Sequence, residues 1–200
     1  MKRPLFPLSA SAVSIALLPT VALAHTGVGD TVGFSHGFIH PLAGIDHVLA
    51  MMMVGVFAWQ LGGRALWLVP ITFVLVMAIG GVLGVTGIGV PFIEIGIALS
   101  VIVLGASVAF RVKAPMAIAM AVVGLFAIFH GHAHGSEMPE NAAWMTYGLG
   151  FMIATALLHL GGIGLGFLIG RIGDKRGPVF VRAAGAAAAV AGLAILGGLI

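Results

Sequence analysis

His36, His40, Asp46 and His47 stand inside an apolar run that opens at Phe34 and continues through Met51-Met52-Met53-Val54. Ionisable groups in a membrane-length segment are costly and mark a functional site by default. A second group, His130, His132, His134 and Glu137, lies in Phe129-His-Gly-His-Ala-His-Gly-Ser-Glu-Met-Pro139. On a helix, His130, His134 and Glu137 fall at i, i+4 and i+7 on one face, with His132 turned away. Imidazole nitrogen with carboxylate oxygen is a donor set for divalent nickel, cobalt, zinc or copper. The chain has no cysteine, which excludes a thiolate site and a disulfide framework.

Each candidate has a plainer reading. The two clusters can be a buried polar network that only fixes packing. His159, deep in a later apolar run, is either hydrogen-bonded to a neighbouring helix or part of a pathway. Glu94 is either an interfacial, solvated carboxylate or a ligand. His25 can chelate through its amine and imidazole if a leader is cleaved before it, or belong to a mobile terminus. Met51, Met52 and Met53 are read as lipid-facing or packing residues before thioether ligands.

Positioning these groups requires a helix with a fault in it. At about 100° per residue, His36, His40 and His47 return to one stripe, with Asp46 about a quarter turn away. Pro41 and Gly44 make an unbroken helix unfavourable, and a kink or short unwound piece is expected. Irregular backbone at membrane depth occurs where it is buried in protein or lines a cavity, and such interruptions point to binding sites in transporters.

The composition supplies the solvent. Of 200 residues, 60% are hydrophobic and 8% charged, against about 25% charged in a soluble domain. The mean hydropathy is +1.20. The chain is an all-α integral membrane protein, with the lipid bilayer as its partner. The net charge of +3 is spread over single residues and small groups between apolar spans, which excludes a nucleic-acid surface.

Residues 1–24 have the form of a secretory signal peptide: Lys2 and Arg3, the apolar Leu8 to Leu18, then Ala22-Leu23-Ala24. An uncleaved first helix is the other reading. Residues 25–200 form the transmembrane domain, with six runs near membrane length: Gly33–Gln60, Ala65–Thr86, Phe92–Phe110, Pro115–His134, Trp144–Gly170 and Val179–Ile200. Arg64, Arg111, Lys113, Arg171, Lys175 and Arg176 fall in alternate loops, with Arg182 just beyond. The positive-inside rule puts those loops in the cytoplasm, and both mature termini in the periplasm of a bacterial inner membrane. Gly80 and Gly84, Gly162, Gly166 and Gly170, and Gly185 with Ala189 are small-residue stripes for helix contacts. Trp59, Trp67 and Trp144 are expected at the interfaces. His-Gly-x-x-His occurs at His36 and at His130. One copy opens a span and the other closes one, so the pair points to shared chemistry rather than an inverted repeat.

At these residues a family comes into view. His40-Pro-Leu-Ala-Gly-Ile-Asp46-His47 resembles the His-Pro-x-x-Gly-x-Asp-His signature of the HupE/UreJ membrane proteins. The segment from Phe129 to Pro139 is similar to that family's second motif. The resemblance implies a permease for Ni²⁺, or Co²⁺, that supplies hydrogenase or urease maturation. It implies His36, His40, Asp46, His47, His130, His134 and Glu137 as metal residues, with Asp46 offsetting the ion's charge at depth. His25, His132, His159 and Glu94 are weaker candidates. The expected protein is no enzyme and needs no catalytic cofactor, because the metal ion is cargo. It has no nucleotide-binding loop, which fits a channel or secondary carrier. A metal sensor or assembly scaffold without transport is the competing reading, and a proton channel built on the same histidines is a third. The sequence leaves the oligomeric state open.

Overall fold

The computed structural model describes residues 29–140, 142–171 and 177–199. The leader and its cleavage site, His25, Lys175 and Arg176 lie outside the described residues. Within them run seven helices: α1 (Gly29–Ala43), α2 (Ile45–Leu61), α3 (Ala65–Val85), α4 (Ile93–Ala109), α5 (Met116–Ser136), α6 (Trp144–Gly170) and α7 (Gly177–Leu196).

The last five helices lie on the second to sixth apolar runs. The first run is two helices, bent by 82° where α1 meets α2. The break falls at Gly44, whose backbone is extended (φ −88°, ψ 119°), and not at Pro41, which sits inside α1. Pro41 forfeits the hydrogen bond to the Gly37 carbonyl and its ring crowds that carbonyl, and α1 stops two residues later. The single stripe of His36, His40 and His47 is therefore corrected. A helical wheel cannot be carried across an 82° turn, and His47 belongs to the first turn of α2.

Among the described residues, α3, α5, α6 and α7 are long and apolar enough to cross a bilayer, and the bent α1–α2 pair makes a fifth span if counted as one. At 17 residues, α4 is a shorter apolar helix. The molecule is a multi-pass membrane protein. Its helices wear their apolar bulk outward: Trp67, Ile71, Leu75, Ile79 and Val82 form an exposed stripe along α3. The opposite face of α3 buries Val69, Phe73, Met77, Gly80, Gly81 and Gly84. In lipid, large aliphatic groups gain nothing by hiding, so helix contacts select small residues that let backbones approach.

The main pairings are α3 on α5, α4 on α7, and α1 and α2 on α6, while α2 touches all six other helices. The α3–α5 contact is the tightest. A Cβ on Gly131 would collide with the Met77 carbonyl, and one on Gly135 with the Gly81 carbonyl. Backbone cannot rotate aside as a side chain can, so overpacking there would cost about 1–3 kcal/mol or more. Gly131 thus sets His130 and His134 against α3. Met51 and Met53 are buried in the core, so they pack and do not face lipid. Trp67 and Trp144 are exposed, and Trp59, half-buried near the end of α2, packs over Gly166 and Gly170 of α6.

Candidate metal pathway

Four imidazoles from three helices meet in the bundle. His40 comes from the last turn of α1, His47 from the first turn of α2, and His130 and His134 from the C-terminal half of α5. Ring centroids are 5.0 Å apart for His40 and His134, 4.6 Å for His134 and His47, and 4.7 Å for His47 and His130. The His40 end of the series is its exposed end. His40 and Glu137 are 37% and 54% exposed, His47 and Asp46 12% and 23%, and His130 and His134 0%. Beyond His130 lies the Phe73 ring at 5.7 Å, and beyond Phe73 the buried ring of His159 at 5.1 Å.

Both carboxylates address imidazoles. His40 Nε2 lies 2.8 Å from Glu137 Oε2. His47 Nδ1 lies 2.8 Å from Asp46 Oδ1, which also accepts the His47 backbone N–H at 2.7 Å. Asp46 lies in the first turn of α2, where a negative charge is favoured by the helix dipole. A neutral His47 that donates from Nδ1 keeps its lone pair on Nε2, and that atom is buried with no partner. A carboxylate that orients an imidazole in this way also raises its basicity as a ligand.

Other ring nitrogens are equally bare. His130 Nδ1 and both nitrogens of His134 are buried without partners. His130 Nε2 lies 2.9 Å from Ser100 Oγ, and the His134 ring is stacked on Phe151 at 5.2 Å. Buried polar atoms are nearly always satisfied, so several orphans in one place call for an explanation. Nitrogen lone pairs with no donor facing them suit a cation, and the residues present fit one. Among the described residues no three such side chains already form a closed metal centre. The rings lie edge to face or, for His47 and His134, tilted at 56°, and coordinating one ion would require them to rotate about their χ angles.

The remaining candidates separate. His36 is exposed and no ring contact joins it to the cluster among the described residues. His132 Nε2 donates to the Ile88 carbonyl at 2.9 Å, which ties the α3–α4 loop to α5, while its Nδ1 is buried without a partner and no ring contact joins it to the cluster among the described residues. Glu94 is exposed in the first turn of α4. Both His159 nitrogens are buried and without a hydrogen-bond partner, so the reading in which a neighbouring helix satisfies it is not met. Sequence reasoning passed over Ser100 and Phe73. A lone hydroxyl in the apolar Ile97-Ala-Leu-Ser-Val-Ile102 was a signal for the first. Nothing in the sequence distinguished Phe73 from the other phenylalanines.

Gly44 holds the turn open for one pair. A Cβ there would stand 2.7 Å from Asp46 Oδ1 and 3.1 Å from His47 Nδ1. Gly44→Ala is expected to push these groups apart, lowering metal affinity about tenfold or more with little loss of thermal stability. Titration with Co²⁺ and a melting curve on the same sample check both halves of that expectation.

The profile of the HupE / UreJ protein family matches residues 13–195. Protein HupE of Rhizobium leguminosarum bv. viciae is 51% identical over 181 residues, covering 90% of this chain and 93% of that one. No solved structure matches. With both histidine motifs inside the matched span, the chain belongs to the HupE/UreJ family.

Proposed function

We propose that this protein is a permease that moves Ni²⁺, or Co²⁺, into the cell along the column of imidazoles, for use in hydrogenase or urease maturation. The observation that carries this reading is the set of bare, buried ring nitrogens on His47, His130 and His134. A divalent ion leaving water loses a large hydration energy, and only replacement donors and nearby negative charge can offset it. The cluster supplies nitrogen donors, and Asp46 and Glu137 supply charge from behind them. His40 and Glu137 receive the ion at the exposed end. His134, His47 and His130 take it inward, and His159 stands beyond Phe73. Imidazoles must be neutral to ligate, so protons compete with the metal and binding weakens as pH falls.

The orientation belongs to the same proposal. The His40–Glu137 end faces the periplasm, and Arg64, Arg111 and Lys113 face the cytoplasm. The leader is cleaved at Ala24, and six spans follow if α1–α2 and α4 each count as one. Gln60 near the end of α2, Arg111 after α4 and Pro178 at the start of α7 line one cavity, which supports placing these three helix ends on the same side.

Proteoliposomes loaded with buffer and given radiolabelled Ni²⁺ separate the readings. A permease accumulates label in the lumen in a saturable, Co²⁺-competed manner. A sensor or scaffold binds label without luminal uptake, and a proton channel acidifies the lumen with no metal entry; either result would reject the proposal.

A further inference from the structure

Ser100 is fully buried on α4. Its Oγ lies 2.6 Å from the Ile97 carbonyl oxygen and 2.9 Å from His130 Nε2. A hydroxyl has one proton to give. Were it given to His130, Oγ and the Ile97 oxygen would face each other at 2.6 Å with no proton between them, two lone pairs in repulsion. The proton therefore lies on the Ile97 contact, the usual bond of a helical serine back to the preceding turn. Oγ is left as an acceptor, and His130 must donate from Nε2. Its lone pair is then on Nδ1, the atom that is buried and bare, on the ring that meets His47 edge to face at 4.7 Å.

We infer that Ser100 is a positioning residue: it locks His130 as the Nε2–H tautomer, so that His130 offers the metal its Nδ1. The metal consequence rests on the permease reading; the tautomer rests on the α4–α5 contact alone. Gly96 makes that contact close, since a Cβ on it would stand 2.5 Å from the Phe129 ring. Ser100 therefore couples the short α4 to the cluster without itself being a ligand. Loss of the hydroxyl removes the tautomer's anchor and lets His130 place its proton on Nδ1, where it blocks ligation.

Nitrogen NMR of metal-free protein with isotopically labelled histidine reads the tautomer of each ring, and the resonance lost in His130→Gln identifies His130. The wild type is expected to carry its proton on Nε2. Ser100→Ala is expected to give a mixture or the Nδ1–H form, with Co²⁺ affinity about 10–100-fold lower and a changed Co²⁺ absorption spectrum. Ser100→Thr, which keeps the hydroxyl, should restore both. A wild-type His130 protonated on Nδ1 would overturn the inference whatever the flux assay shows. So would Ser100→Ala with unaltered Co²⁺ affinity and spectrum while His134→Gln loses binding. If the tautomer is as stated but the wild type binds no Co²⁺, the permease reading fails and the Ser100–His130 lock stands.

Discussion

Asp46→Asn should lower Ni²⁺ uptake by about a hundredfold or more while the protein still inserts, purifies and melts near the wild-type temperature. Two effects add. The amide removes the negative charge that offsets the ion beside His47, at a site only 23% exposed, where water compensates poorly. It also removes certainty about the proton. A carboxylate can only accept, so it holds His47 with N–H on Nδ1 and the lone pair on Nε2. An asparagine can turn its NH₂ toward His47 and hold the opposite tautomer, with Nε2 protonated and unable to ligate. Losses of about 10–100-fold follow when the orienting partner of a metal-binding histidine is removed, before the charge is counted. Initial uptake rates in proteoliposomes, normalised to inserted protein, measure the effect. Near-normal rates in a folded variant would remove Asp46 from the pathway.

Two histidines of the His-Gly-x-x-His motifs, His134 and His36, should behave differently. His134→Gln keeps polarity and much of the volume but removes the ring that bridges His40 and His47 at 5.0 and 4.6 Å. Uptake should fall about a hundredfold. His36→Gln changes an exposed side chain outside the ring series, and uptake should stay within about twofold of wild type, the scale of surface substitutions away from a site. Equal losses in both variants, read in the same assay, would mean that ring contact does not define the path.

Much of this architecture was legible in the chain because lipid imposes simple demands. Backbone groups must be satisfied within a helix, so apolar length located α3, α5, α6 and α7 to within a few residues. The glycine stripes marked close contacts for the same reason: Gly80 and Gly84 do face the backbone of α5 at Ile128 and His132. The break in the first run was expected from Pro41 and Gly44 and falls at Gly44; its 82° angle accompanies the packing of both α1 and α2 on α6, which no local pattern encodes. The site was legible as residue types and not as partners. His130 and His134 shared a face as the i, i+4 spacing requires. That Glu137 would meet His40, 97 residues away, depended on how α1 and α5 pack, while Asp46 turns back on its own neighbour within the first turn of α2. His132, a weaker candidate turned away from His130 and His134, donates to the Ile88 carbonyl and keeps a bare Nδ1, a partnership no motif announces.

X-ray absorption at the metal edge, on purified protein loaded with one equivalent of Ni²⁺ or Co²⁺, tests most directly whether the imidazole cluster holds the ion. The expected result is a coordination sphere with at least three nitrogen donors carrying the multiple-scattering pattern of imidazole rings. His134→Gln is expected to lose part of that pattern and His36→Gln to keep all of it. A sphere of oxygen donors alone, the same in wild type and in His134→Gln, would contradict the imidazole pathway.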